Sequence, residues 1–254
     1  METIPAYKEK EFHKLEEAIG VEFNEKNHIV QALVHRSYLN ENREFPLAHN
    51  ERLEFLGDAV LELVITEHLF EHYLNPEGEL TNWRAALVNS KMCAAVAREI
   101  SLEPYLFLSR GEAQDTSVKA RDYILANALE AVIGAIYIDK GWDYAKQFVS
   151  RWIITKLPEV LDLGLWMDPK SRFQEAAQEI IGITPTYKVM KEEGPDHDKE
   201  FTVGVYLGKE QVTEGMGGSK QEAQIDAAEK ALRVKSWKGP KVEILERKAD
   251  DPLG

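Results

Sequence analysis

The chain has 254 residues, 44% apolar and 30% charged, a balance that excludes a wholly disordered or low-complexity protein. No apolar run approaches the roughly 18 residues that a membrane span needs, and the N-terminus lacks the apolar core of a signal peptide. The single cysteine, Cys93, excludes an intrachain disulfide and a multi-cysteine zinc site. We therefore expect a cytoplasmic protein with no membrane partner.

The net charge of −13 argues, taken alone, against a nucleic-acid partner, because phosphates attract basic surfaces. The charge is unevenly distributed, however. Residues 1–168 carry 17 Lys and Arg against 28 Asp and Glu, whereas residues 169–248 carry 14 of each. This shift marks a candidate domain boundary near residue 168. Together with the element patterns below, we expect a first domain over residues 8–156, a linker over 157–167, a second domain over 168–237 and a frayed tail over 238–254.

The first domain is predicted to be all-α. Apolar residues recur at helical spacing, turn residues fall between the segments, and no alternating strand pattern stands out. The segments expected to be helical are 12–19, 29–38, 52–74, 80–100 and 124–138.

The second domain is predicted to be a small α+β unit of order α-β-β-β-α. Asp168 and Pro169 are typical of a helix start, and Gly182 of its end. Alternating stretches over 186–190, 201–207 and 211–215 predict three strands. Ser219 and Glu222 then form a capping box. The last helix is expected to bury a small-residue face of Ala223, Ala227, Ala228, Ala231 and Leu232.

An acidic stripe lies on the predicted helix over 52–74 and just before it. At about 100° per residue, Glu51, Glu54 and Asp58 fall within about 60° of one another. A solvated acidic face is one interpretation, and a site for a hard cation such as Mg²⁺ is the other. Gly57 favours the second, because a mid-helix glycine costs up to about 1 kcal/mol and suggests a close approach there.

Asn127 and Glu130 are the strongly polar residues in the apolar run over 123–137. Their i, i+3 spacing puts them on one helix face, where burial is costly unless they are paired or bind a ligand. They are either a polar pair satisfied by neighbouring backbone or, facing the acidic stripe, the other half of an oxygen-rich cage.

Residues 49–61 (HNERLEFLGDAVL) resemble the signature of the ribonuclease III family. Further motifs follow in that family's order, and residues 168–234 resemble a double-stranded-RNA-binding domain. The resemblance extends from about residue 10 to 235. The additional motifs are QALVHRSY (31–38), GELT (78–81), RAALV (84–88), GE (111–112) and the run over 127–139.

The resemblance implies an all-α endonuclease domain, active as a homodimer, followed by an RNA-binding domain. It places Asp58 and Glu130 at catalytic positions, with Glu51 as a supporting carboxylate and Phe55 as a dimer contact. Asn127 stands where many members have Asp. The implied cofactor is Mg²⁺, with Mn²⁺ as a substitute, and the implied metal-binding residues are Glu54, Asp58, Asn127 and Glu130.

The same resemblance implies cleavage of double-stranded RNA to 5′-phosphate ends with short 3′ overhangs, in rRNA-precursor and mRNA processing. A-form RNA is recognised by shape, through minor-groove 2′-hydroxyls and phosphates. Gln221 stands where the family usually has a second lysine. The residues expected to contact RNA are Ser171, Gln174, Gln178, His197, Ser219 and Lys220.

Two other classes of protein remain open from the sequence. One is a duplex-RNA-binding or ribosome-associated protein that kept the fold and lost the chemistry; the presence of Glu54, Asp58 and Glu130 argues against it. The other is a helical scaffold or metal-storage protein, for which the module over 168–234 has no evident use.

Overall fold

A computed structural model of the chain describes residues 11–195, 199–238 and 243–247. These residues fall into two compact units. The first contains the residues up to Leu157 together with those from Leu245 onward, and the second spans Pro158–Ile244. In the described residues, no helix is both long and apolar enough to cross a membrane.

The first unit is helical, as predicted. Its longest helix is apolar on nearly every side over residues 124–136 and is therefore buried within the unit. The helices are α1 (Phe12–Ile19), α2 (Lys26–Ala32), α3 (Arg36–Glu41), α4 (Glu51–His72), α5 (Glu77–Val88), α6 (Ser90–Glu99), α7 (Arg110–Gln114), α8 (Val118–Lys140) and α9 (Trp142–Trp152).

Two of the predicted helical segments are each divided into two helices. The segment over 29–38 breaks before His35, whose ring accepts a hydrogen bond from Ser37 N and so caps α3. The segment over 80–100 breaks at Asn89, whose side chain accepts from Met92 N at the start of α6. Helical spacing of apolar residues continues across both breaks, because the successive helices pack on the same core.

The second unit has the predicted order of helix, three strands and helix. Its helices are α11 (Pro169–Ile181) and α12 (Lys220–Lys235), preceded by α10 (Leu157–Asp162), which begins where the two units divide. The strands form one antiparallel sheet in the order β1-β2-β3. They are β1 (Thr186–Glu193), β2 (Glu200–Leu207) and β3 (Glu210–Gly217).

The caps and the core of this unit follow the sequence. The Asp168 carboxylate accepts from the N–H groups of Lys170 and Ser171, and α11 ends at Gly182 with φ of 70°. The Ser219 hydroxyl accepts from Glu222 N, while the Glu222 carboxylate accepts from Gly218 N. The small-residue face of α12 is buried throughout.

The end of the described chain belongs to the first unit. Leu74 N donates to the Leu245 carbonyl, Leu245 N donates to Asn75 Oδ1, and Arg247 N donates to the His72 carbonyl. The Arg247 guanidinium lies 5.3 Å from the centre of the Phe70 ring. The expectation of a frayed tail is therefore wrong for residues 245–247, since backbone pairing at the end of α4 orders a segment whose polar composition indicated solvent exposure.

Candidate active site

The acidic stripe lies where α4 crosses α8, and two glycines make this crossing a backbone contact. A Cβ atom built on Gly57 would lie 1.7 Å from the Glu130 carbonyl oxygen, and one built on Gly134 would lie 2.2 Å from the Leu53 carbonyl oxygen. Real Cβ atoms essentially never approach so closely. The close approach expected at Gly57 is thus the backbone of α8, which brings Glu130 beside the acidic stripe.

Asn127 and Glu130 are partly exposed, although most of their neighbours on α8 are buried. They therefore lie where the crossing opens to solvent. Glu54 is half-buried and Asp58 is exposed on the facing part of α4. The structure thus brings the two predicted halves of the cage, from α4 and from α8, to the same crossing.

The carboxylates interact through their charges. Burial, and then the charges of Asp58 and Glu54, raises the pKa of Glu130 to about 7. Burial, and then the charges of Glu51 and Asp58, raises the pKa of Glu54. The buried Cys93 thiol is close enough to respond, since burial together with Glu130 and Asp58 raises its pKa to about 12. Burial is the larger cause at both Glu54 and Glu130, and the neighbouring carboxylates add a repulsion that a cation would relieve.

The donor set suits a hard cation, because carboxylate and amide oxygens are the ligands that Mg²⁺ takes in proteins. In the described residues, however, no three His, Cys, Asp or Glu side chains are close enough to form a ready metal site. Like charges at this helical spacing repel one another. The residues therefore fit a metal by their chemistry and their helix positions, and their side chains would have to converge on it.

Glu51 differs from the other carboxylates of the stripe. One of its oxygens lies 3.2 Å from Arg36 Nη1, and the other lies 3.7 Å from His49 Nδ1. Both oxygens thus face nitrogen atoms of residues that precede α4. Glu51 was identified from the sequence as a site residue, but Arg36 was not. The sequence feature that could have pointed to Arg36 is its position within the motif over 31–38.

Phe55 lies on α4 between Glu54 and Gly57, and 81% of its surface is exposed. Among the described residues it is the most exposed of the large apolar side chains. A phenylalanine held open to water on a rigid helix costs free energy unless a partner covers it. Phe55 therefore fits a contact surface better than the core position that its apolar character alone would suggest.

Three predicted RNA contacts lie on α11. Gln174 and Gln178 are exposed, and Gln178 Oε1 accepts from the Thr184 hydroxyl at 3.4 Å. Ser171 is half-buried, and its hydroxyl is hydrogen-bonded to Asp168. Burial tends to raise the pKa of Asp168, but the hydrogen bonds from Ser171 and Lys170 outweigh this and lower it. Both glutamines therefore present amides to solvent, whereas the Ser171 hydroxyl is bonded to Asp168, the N-cap of the same helix.

Lys220 begins α12 and is exposed next to the sheet. Its Nζ lies 5.6 Å from the centre of the Phe201 ring and 4.0 Å from Glu192 Oε2. Ser219, just before it, is exposed, and its hydroxyl oxygen accepts a hydrogen bond from Glu222 N. The cation thus stands at the positive end of a helix dipole, where a phosphate would be a favourable partner. His197 lies outside the described residues.

Comparison with known proteins places both units. A family model described as "Ribonuclease-III-like" matches residues 25–157, and one described as "Double-stranded RNA binding motif" matches residues 169–235. Ribonuclease 3 of Nitratiruptor sp. is 39% identical over 89% of this chain and 97% of its own length. The chain belongs to the ribonuclease III family. Ribonuclease 3 of Borreliella burgdorferi is 41% identical over 89% of this chain and 92% of its own.

The nuclease unit of this ribonuclease III also resembles a solved structure. The nuclease domain of ribonuclease III from Campylobacter jejuni, described as flexible in a region involved in dimer formation, is 40% identical, with a TM-score of 0.52. It covers 58% of this chain, which in turn covers 99% of that structure. The chain is therefore a metal-dependent endoribonuclease specific for double-stranded RNA.

Proposed function

We propose that this ribonuclease III hydrolyses double-stranded RNA with Mg²⁺ at the α4–α8 crossing, with Mn²⁺ as a substitute. The observation that carries the proposal is the backbone contact of α4 and α8 at Gly57, which sets Glu130 beside Glu54 and Asp58. Burial, and then the charges of Asp58 and Glu54, raises the pKa of Glu130 there to about 7. A site that holds several carboxylates together at this cost needs a cation to balance them. The domains proposed for this work are residues 8–156 for cleavage and 168–237 for RNA binding, joined by the linker and followed by the tail.

In this proposal Glu54 and Glu130 are direct ligands of the ion, and Asp58 and Asn127 ligate it or orient water around it. When bound, Mg²⁺ supplies Lewis-acid chemistry that lowers the pKa of water and stabilises charge on the phosphate and the leaving 3′-oxygen. Asn127 contributes a neutral oxygen, so the three carboxylates supply the negative charge. Near neutral pH, Glu130 holds a proton in part of the metal-free molecules and must release it from its carboxyl before binding the cation.

We propose further that the enzyme acts as a homodimer through Phe55, because an apolar contact is needed to join units that each carry excess negative charge. Two sites in one dimer would cut both strands and leave 5′-phosphate ends with short 3′ overhangs. The exposed amides of Gln174 and Gln178, with Ser171, Ser219, Lys220 and His197, would bind the duplex through 2′-hydroxyls and phosphates. The proposed setting is rRNA-precursor and mRNA processing in the cytoplasm.

The test is cleavage of a long, perfectly paired RNA by the full chain, with and without Mg²⁺. We expect cleavage only with the metal, and we expect Glu130→Ala to abolish cleavage while a gel-shift assay shows duplex binding retained. Robust cleavage by Glu130→Ala would reject the assignment of the site. Binding by the native chain without any cleavage would instead identify a duplex-binding protein that has lost the chemistry.

A further inference from the structure

The acidic stripe poses an electrostatic problem for the substrate. Glu51, Glu54 and Asp58 present carboxylates on one side of α4, and each nucleotide of RNA brings a negative phosphate. These carboxylates repel an approaching phosphate, which therefore needs a positively charged side chain beside them. Among the Lys and Arg side chains of the described residues, that of Arg36 forms an ion pair with the acidic stripe, at Glu51.

Arg36 is placed rigidly with respect to α4, although it belongs to another helix. It is the first residue of α3, and the chain just before α3 is joined to the chain just before α4. Asn50 N donates to the Val34 carbonyl at 2.9 Å, and Asn50 Nδ2 donates to the Ala32 carbonyl at 3.1 Å. Asn50 is itself buried, with 4% of its surface exposed. The starts of the two helices are therefore fixed together by buried hydrogen bonds.

The Arg36 side chain is held at one point and is otherwise open. Its Nη1 lies 3.2 Å from Glu51 Oε1, and 71% of the side chain is exposed. A guanidinium has five N–H donors in a planar fork, and one ion pair leaves several of them free for another acceptor. The second carboxylate oxygen of Glu51 lies 3.7 Å from His49 Nδ1. Both carboxylate oxygens of Glu51 therefore face nitrogen atoms.

We propose that Arg36 binds a phosphate of the RNA duplex beside the acidic stripe, and that the supporting role of Glu51 is to hold Arg36 for this contact. The inference rests on the function proposed above. Arginine suits the contact, because its planar fork pairs with phosphate through two hydrogen bonds and it stays protonated at all working pH values. Glu51 thereby acts on the substrate through Arg36, as a positioning residue rather than as a metal ligand.

The experiment measures equilibrium binding of the full chain to a perfect RNA duplex in EDTA, where no cleavage occurs, at several KCl concentrations. Each phosphate contact contributes about 0.9 to the slope of log affinity against log salt concentration on a duplex. We expect Arg36→Gln to reduce that slope by about 0.9. The matched control is Arg151→Gln, since the Arg151 guanidinium already stacks over Trp152; it is expected to leave the slope unchanged.

A second variant separates the contact from a structural role. Arg36→Lys keeps the charge but loses the fork, so we expect its salt slope to match the native value while KM for cleavage rises about 5- to 10-fold and kcat stays within about twofold. An unchanged slope for Arg36→Gln, or an unchanged KM for Arg36→Lys, overturns the proposal. If the native chain does not cleave RNA with Mg²⁺, the proposed function fails. The salt slope of binding does not depend on cleavage and tests the Arg36 contact separately.

Discussion

Replacing Glu130 by glutamine is expected to stabilise the metal-free protein at alkaline pH. The pKa of Glu130 rises from the ordinary 4.5 to about 7 in the folded protein, because of burial, Asp58 and Glu54. The folded state thus holds the proton more tightly than the unfolded state does. Stability from this group is present at acid pH and is lost as the pH rises through about 7.

The magnitude follows from the size of that shift. At about 1.4 kcal/mol per pH unit, the full change would be about 3.4 kcal/mol. Glu130 is only half-buried, so solvent screening reduces the expected effect to about 1.5 kcal/mol. For a unit of this size, that raises the melting temperature of Glu130→Gln above the native value by about 3–6 °C at pH 8.

The assay is thermal unfolding of the full chain in EDTA, followed by circular dichroism at pH 5 and pH 8. The difference in melting temperature between Glu130→Gln and the native protein is expected to grow from pH 5 to pH 8. Glu62→Gln, which changes an exposed carboxylate of the neighbouring helix α4, is expected to show no such growth. Adding Mg²⁺ is expected to stabilise the native protein more than the variant. An equal difference in melting temperature at both pH values would refute the argument that burial and the neighbouring carboxylates raise the pKa of Glu130.

Three further outcomes are expected. Asn127→Asp should lower the Mg²⁺ concentration needed for half-maximal cleavage, because Mg²⁺ prefers charged oxygens. If the curves of cleavage against Mg²⁺ concentration superimpose, Asn127 does not belong to the site. If the native protein is inactive and Asn127→Asp is active, Asn127 inactivates the enzyme. Phe55→Glu should give monomers in sedimentation, and an unchanged dimer would place the interface elsewhere. Gly57→Ala should destabilise the fold by about 3 kcal/mol in urea unfolding, whereas Gly78→Ala, with no atom within 4 Å of the added carbon, should not.

The fold was largely accessible from the sequence, because its signals are local. The cap at Asp168, the glycine at 182 and the small-residue face of α12 each define an element by short-range chemistry. Helix breaks at His35 and Asn89, which cap α3 and α6 through side-chain hydrogen bonds, were missed because the apolar spacing continues on both sides of each break. Periodicity of apolar residues reports the buried face and not the continuity of the helix.

The candidate site was accessible only in part. The mid-helix Gly57 predicted a close approach, and the structure shows what approaches: the carbonyl of Glu130. Pairing of Glu51 with Arg36 was not predictable, because it joins residues of two helices through a turn whose geometry depends on the buried Asn50. Long-range ion pairs of this kind depend on the packed fold and leave no regular spacing in the sequence.

The attachment of residues 245–247 to the end of α4 has a consequence for the order of events during synthesis. A chain leaves the ribosome N-terminus first, and domains fold as they emerge. The whole of Pro158–Ile244 lies between the main part of the nuclease unit, which ends at Leu157, and residues 245–247. The Leu74 amide and the Phe70 ring therefore meet their partners, Leu245 and Arg247, only after the RNA-binding unit has been synthesised. The nuclease unit, first to be translated, is the last to be completed.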